Sequence, residues 1–339
     1  MSKKLKYIFA GLLLLVVGLF AYHFYAANKA EQTINETIQQ ITSKSATGVS
    51  INYTFVEVSP FSGDILFSDV NIIRDVDLQR ASTARFDLSY WDFLNFIVWG
   101  TESGLEQVQT GILEIQNFSY TNRSSYVELK VDSLHVDYAG NLWNLIVLGT
   151  TQRPAEIQHH IRASGKQFRY YHPEEGIGSI RSDSLQMEVH FGKTSFQSDS
   201  LYNSFDIKNI IWGPPPSIRE KYEFFIQGFG YQTDSIPFRR AEVIFRYDQL
   251  ENQVKFEEIT LNSELFTVSS QGNILVDPLQ FSHSQLYDFS IRIQEMSPRF
   301  QNFLQQTQNL MGFKIPGSAD QIQLKLKGTL DEPQVIFGK

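Results

Sequence analysis

Residues 285–294 read QLYDFSIRIQ, in which Tyr287, Phe289, Ile291 and Ile293 alternate with Asp288, Ser290 and Arg292. A period of two sends successive side chains to opposite sides of an extended chain, so this stretch predicts a strand with one apolar and one wet face. The same period governs Leu185, Met187, Val189 and Phe191 against Gln186, Glu188 and His190. It returns in Ile322, Leu324 and Leu326 against Gln323, Lys325 and Lys327. Clean alternation belongs to antiparallel sheets, because parallel strands covered by helices on both sides are apolar throughout. Gly, Pro, Asn and Asp punctuate the runs, as at Pro237 and Asp277-Pro278. From Val49 onward about fourteen such strands are expected, more than twice a typical sheet. The fold class is therefore mainly β: a long antiparallel, curled sheet, groove-like or sandwich-like.

The period changes at both ends of the chain. Lys3, Lys4 and Lys6 precede an uncharged run from Tyr7 to Ala27. Some twenty apolar residues suffice to cross a bilayer as a helix. The lysines hold the N-terminus in the cytoplasm, and Tyr22, His23, Phe24 and Tyr25 sit where an interfacial aromatic belt belongs. A cleaved signal peptide competes with this reading, since Ala26, Ala27 and Ala30 are small. Residues 1–27 are thus expected to be a cytoplasmic tip and signal anchor. Residues 28–44, with Ala30, Ile34, Ile38 and Ile41 at helical spacing, form a juxtamembrane helix, and residues 45–339 form the sheet domain. A further helix is predicted near the C-terminus. Ser297 can cap it, Pro298 suits its first position and Gly312 can end it, while Phe300, Phe303, Leu304, Thr307, Leu310 and Met311 share one face. Pro214-Pro215-Pro216 reads as a rigid corner or strand terminator.

One internal repeat is visible. Phe86–Tyr90 followed by Leu94–Gly100 parallels Leu134–Tyr138 followed by Leu142–Gly149. Each copy predicts a strand feeding a short apolar helix that ends at glycine.

Composition narrows the function. The formal charge of −8 opposes nucleic acid or an anionic headgroup surface as the main partner. With no cysteine there is no disulfide, thiolate ligand or cysteine nucleophile. Asn-X-Ser/Thr triplets at Asn52, Asn117 and Asn122 read as chance. No H-E-x-x-H or other metal-ligand spacing, G-x-S-x-G elbow, P-loop or G-x-G-x-x-G occurs, and His159-His160 would point to opposite faces of a strand. The expectation is a non-enzyme with no cofactor and no metal. What stands out is the wealth of rings, 27 Phe, 15 Tyr and 4 Trp, spread over the strands. On two packed sheets they would make a sandwich core; on one curled sheet they would line a trough for acyl chains.

The C-terminal segment from Gly317 to Val335, with Gly328-Thr-Leu-Asp-Glu-Pro333 at its close, resembles the ending of AsmA-like envelope proteins. That superfamily includes AsmA and TamB relatives and the type II secretion protein N family. Ser62-Gly-Asp-Ile-Leu-Phe-Ser-Asp-Val-Asn-Ile72 is similar to the family's early segment, and the anchor at the N-terminus matches as well. The resemblance implies a single-pass inner-membrane protein with its C-terminal domain in the periplasm. It further implies a role in phospholipid movement or outer-membrane assembly. The expected activity is binding of lipid acyl chains on an apolar β-groove, each buried methylene contributing about 0.8 kcal/mol. The expected lining is Tyr287, Phe289, Ile291, Ile293, Ile322, Leu324 and Leu326, for which a core role is equally consistent with alternation. A charge at Ile291 or Leu324 should then remove bound lipid and spare the fold. The alternative is a scaffold or assembly subunit of secretion or outer-membrane machinery, binding envelope protein partners through strand edges or the 28–44 helix.

Overall fold

The computed structural model describes residues 3–44, 48–144, 159–172, 178–191, 202–248, 252–277, 280, 283–312, 317–318 and 321–336. The protein is mainly β, and the pairings within its sheet are antiparallel. The chain divides into two compact units, Met1–Phe118 with His135–His159, and Ser119–Leu134 with His160–Lys339.

The first unit begins with helix α1 (Lys3–Lys44), followed by strands β1 (Val49–Asn52), β2 (Phe55–Ser59), β3 (Asp64–Arg74) and β4 (Asp77–Asp87). Helices α2 (Tyr90–Trp99) and α3 (Thr101–Gln107) precede β5 (Thr110–Asn122) and β6 (Val127–Ala139), whose far ends belong to the second unit. The strand order here is β1-β3-β4-β5-β6, with β2 also on β3.

The expected anchor and juxtamembrane helices are one continuous helix, α1. Its 28–44 face does not project as a stalk. Ala26, Ala30 and Ile34, four residues apart, are buried against Val58, Ile65, Phe93, Phe96, Ile97 and Leu105. Two alanines leave room for a close approach, and buried Thr33 and Thr37 donate back to the carbonyls of Lys29 (2.9 Å) and Thr33 (2.7 Å). Ala26, part of the small-residue cluster that suggested a cleavage site, is thus a packing residue. Tyr53 Oη adds a 2.6 Å hydrogen bond to Asn35 Oδ1.

The first copy of the repeat folds as expected. β4 leads into α2, where Ser89 Oγ accepts from the Asp92 N–H at 3.1 Å and donates to the Asp92 carboxylate at 2.7 Å. Phe93, Phe96 and Ile97 face the core, and Gly100 ends the helix at φ 77°. In the second copy Leu142–Asn144 turn helical after β6, and residues 145–150 lie outside the described residues.

The second unit contains β7 (His159–Tyr171, from its second residue on), β8 (Ser179–Phe191), β9 (Asn203–Gly213), α4 (Pro216–Gly228), β10 (Ile236–Asp248), β11 (Gln253–Asn262), β12 (Thr267–Leu275) and β13 (Gln285–Gln294). It closes with α5 (Pro298–Met311), β14 (Gly317–Ser318), β15 (Gln321–Thr329) and β16 (Pro333–Ile336). The strand order is β7-β8-β9-β10-β11-β12-β13-β15-β14, with β16 also on β15.

Helix α5 has the predicted bounds: Ser297 Oγ accepts from the Phe300 N–H, Pro298 opens the helix, and Gly312 closes it in the left-handed region at φ 69°. Phe300 is buried with Leu265, Met296 and Ile322. The proline run does more than end a strand. Pro216 starts α4, because a fixed φ and a missing N–H cost nothing in a first helical turn. Phe229, just past α4, packs its ring 4.5 Å from Phe303 and 5.1 Å from Phe300.

Strict alternation fails at one place in many strands. Asp69, Asn117, Gln167, Asn209 and Asp288 adopt φ between 47° and 55°, one residue in each of β3, β5, β7, β9 and β13. Asn and Asp tolerate this region best among non-glycine residues. In β13 the irregularity is a bulge: Leu286 pairs with Gly328, but Phe289 pairs with Leu326, so three residues span two. Serine side chains cover the carbonyls that such breaks loosen. Ser82 Oγ donates to the Gln116 carbonyl at 3.1 Å, and buried Ser182 reaches the Lys208 carbonyl at 2.8 Å.

His159 is fully buried in the first unit. Its Nδ1 lies 2.9 Å from Tyr138 Oη, and its Nε2 lies 2.9 Å from Asn144 Oδ1. Oδ1 can only accept, so Nε2 carries the proton and Nδ1 accepts from the tyrosine. Burial lowers the histidine below its ordinary value of 6.5. The unfolded chain then takes up the proton first, so this contribution to stability is present above pH 6.5 and lost as pH falls through the lower folded value. Melting temperature should therefore drop between pH 7.5 and pH 5 in the native chain. The drop should be smaller in His159→Gln; equal drops in thermal melts would refute the assignment.

Candidate functional site

In the second unit the strand registers assemble one continuous apolar face. Met187 pairs with Phe205, Phe205 with Val243, Val243 with Ile259, and Phe245 with Phe256. Beyond them Ser270 pairs with Ile291, Ile291 with Leu324, and Leu326 with both Phe289 and Val335. Its spine is a row of phenylalanines. The rings of Phe205 and Phe245 stack at 5.9 Å, Phe245 and Phe256 lie 6.0 Å apart, and Phe256 and Phe289 lie 6.3 Å apart.

Phe256 and Phe289 meet although β12 runs between their strands, because Gly272 occupies the crossing point. A Cβ there would stand 2.6 Å from Phe289 Cα and 2.8 Å from its ring, so any side chain would displace the phenylalanine. The glycine, at φ 154°, lets one ring lie over the backbone of its neighbour.

The described strands of this unit form a single sheet, and Met187, Phe205, Val243, Phe245, Phe256, Ile259, Phe289, Ile291 and Leu326 are all half-buried. In a sandwich, inner-face side chains of two sheets interdigitate and are removed from water. Among the described residues, cover is seen at one end: α5 and Phe229 close over Leu265, Met296 and Ile322, with Ile293 and Leu324 packed against them. The opposite face carries charge. Gln186 pairs with Asp206, Lys208 with Arg240, and Arg240 holds Asp206 with hydrogen bonds of 2.7 and 3.1 Å.

The seven expected lining residues therefore separate into three groups. Phe289, Ile291 and Leu326 lie on the uncovered face. Ile322 is 6 % exposed and belongs to the core under α5, with Ile293 and Leu324 at its margin. Tyr287 lies on the other face: it pairs with Asn273, two residues from Gln271, the partner of Ser290. The bulge moves it out of phase and puts Leu286 in line with Phe289, Ile291 and Ile293. Tyr287 is 46 % exposed, and its hydroxyl donates to Gln285 Oε1 at 2.8 Å. Phe205, Phe245 and Phe256, which the lining expected from sequence does not include, stand on the same face, and the alternation of their strands carries the signal.

The first unit has an apolar pocket of its own, about 380 Å³, lined by Ile38 of α1 with Ile51, Phe67, Ala84, Phe86 and Phe118 among others. That volume falls at the small end of the roughly 300–1,000 Å³ range of ligand sites. At the other end of α1, Leu14, Leu15, Val17, Leu19 and Phe20 are exposed around the helix. No helix among the described residues is long and apolar enough to cross a membrane. The side chains of residues 3–13, which include the three lysines and Leu12, lie outside the described residues.

One polar cluster was not foreseen. His160 and Arg162 on β7 meet Glu188 and His190 on β8, at half-buried positions except for the exposed Arg162. His160 Nε2 is 2.8 Å, Arg162 Nη2 3.1 Å and His190 Nε2 3.7 Å from Glu188 Oε1. The imidazoles stack at 4.2 Å and 5°. Partial burial acts to raise the Glu188 carboxyl, but hydrogen bonds from His160 and Arg162 outweigh it and hold the carboxyl below its usual range. His190 is lowered by burial and by the neighbouring His160.

These features define a mainly β antiparallel protein with an apolar sheet face that no second sheet covers among the described residues. No family model, curated protein or solved structure matches this chain.

Proposed function

We propose that this chain is a non-enzymatic, membrane-anchored protein that binds lipid acyl chains on the apolar face of its second unit. The observation that carries this reading is the half-exposed Phe205–Phe245–Phe256–Phe289 row, which no second sheet covers among the described residues. Contiguous apolar groups left part-exposed on one face are the kind of surface that takes a partner or ligand. A lipid tail suits it because the face offers rings and aliphatic groups, while the charges sit on the other side of the sheet. Binding then follows from burial, at about 0.8 kcal/mol per methylene removed from water. The all-round apolar segment at Leu14–Phe20 supports membrane anchorage through α1, since a helix apolar on every side needs lipid or protein around it. Taken with the resemblance of both chain ends to AsmA-like proteins, it supports our reading of an inner-membrane protein with its sheet in the periplasm and a role in lipid movement or envelope assembly.

Site-specific photocrosslinking in cells tests the reading. A photoreactive phenylalanine analogue at Phe245 should capture phospholipid, whereas the same group at Gln186 on the wet face should not. Capture of a protein instead of lipid at Phe245 would favour a scaffold role, and equal lipid capture at both positions would sink the proposal.

A further inference from the structure

The structure assigns a divalent-cation site, of the chemistry that selects zinc, to His160, Glu188 and His190. Among the described residues this is the group in which three histidine and carboxylate ligand atoms all come within 4.8 Å of one another. Two imidazole nitrogens and a carboxylate oxygen are ligands that zinc accepts, at metal distances of about 2.0–2.2 Å. Ligands around such an ion stand somewhat over 3 Å apart, and the observed 2.8 and 3.7 Å separations to Glu188 Oε1 bracket that spacing.

Backbone architecture fixes the group before any ion arrives. Glu188 and His190 are two residues apart on β8 and so share a face, and His160 reaches them from the neighbouring strand β7. Asn203, itself buried, accepts the His190 backbone N–H on Oδ1 at 2.7 Å and pins the strand there. The site lies on the wet face, since Met187, next to Glu188 along β8, pairs with Phe205 on the apolar one. It is therefore separate from the acyl-binding surface and does not depend on it.

Arg162 sets the strength. Its guanidinium hydrogen-bonds the same carboxylate, so a cation must share Glu188 with a positive charge, and affinity should be micromolar rather than picomolar. Splaying the stacked rings around an ion and releasing the His160–Glu188 hydrogen bond are the changes ligation requires. An ion held here ties β7 to β8 and stabilises the folded state by mass action.

Zinc titration of the untagged, EDTA-treated full chain in detergent at pH 7.5, read by equilibrium dialysis, tests the site. One equivalent should bind with a Kd at or below about 10 µM. His160→Gln and His190→Gln should each weaken binding by at least about 100-fold, whereas His135→Gln in the first unit should leave it unchanged. Mass-spectrometric mapping of diethyl pyrocarbonate modification gives a readout without variants. Zinc should protect His160 and His190 in the native chain. Less than one equivalent at 100 times that concentration, binding that survives both variants, or absence of protection would each overturn the assignment.

Discussion

Ile291→Glu should remove lipid capture at Phe245 by at least about tenfold while the chain stays folded. Ile291 lies in the middle of the uncovered face, paired with Ser270 on one side and Leu324 on the other. In the free protein a glutamate there remains hydrated, because the position is only half-buried. Beneath an acyl chain the same carboxylate loses its water and gains no partner, which costs several kcal/mol. Two comparisons give the result its meaning. Tyr287→Glu, four residues away on the opposite face, should leave lipid capture unchanged. Ile322→Glu, inside the cluster under α5, should unfold that end of the sheet, since it buries a charge among Leu265, Met296 and Phe300. Circular dichroism and thermal melts alongside the crosslinking separate these outcomes. If Ile291→Glu melts as Ile322→Glu does, the face is closed core and the acyl-binding reading fails.

The second large effect belongs to the first unit. Phe93→Ala should destabilise it by about 3–5 kcal/mol, the cost of deleting a buried ring and leaving a cavity. Phe93 is fully buried, and its cluster contains Ala26, Ala30 and Ile34 of α1 as well as Val58, Ile65 and Leu105. Loss of the ring therefore loosens α1 from the unit and not only α2. The expected signature is early amide exchange at residues 26–38 together with β2, measured by hydrogen exchange at native pH. A loss below about 1 kcal/mol, with α1 still protected, would mean that the helix docks independently of this core.

Local chemistry explains how much could be read from the chain. Ser297, Pro298 and Gly312 act within a single helix, so the bounds of α5 follow from capping preferences alone. Likewise, alternation in β8 and β15 reports on neighbouring residues of one strand, and the antiparallel class and the apolar face follow from it. Helix α4 was hidden because a proline run has two local meanings, the end of a strand and the start of a helix. The segment after it, Ser217–Phe229, decides between them: the Phe225 and Phe229 rings pack on Phe303 of α5, and Ile226 is buried.

The amino-acid sequence by itself determined that this protein is an antiparallel sheet with an apolar and a wet side, led by an apolar helix. Tertiary structure decided which residues stand together on each side. One extra residue at the β13 bulge reverses the phase of alternation, so Tyr287 leaves the face that Phe289, Ile291 and Ile293 occupy. Strand register across β7 and β8 brings His160 to Glu188 over 28 positions of sequence, where no linear spacing could announce a metal ligand set. Both facts have the same physical origin. Side-chain direction along a strand is a local property, whereas register between strands is set by hydrogen bonds between segments distant in the chain.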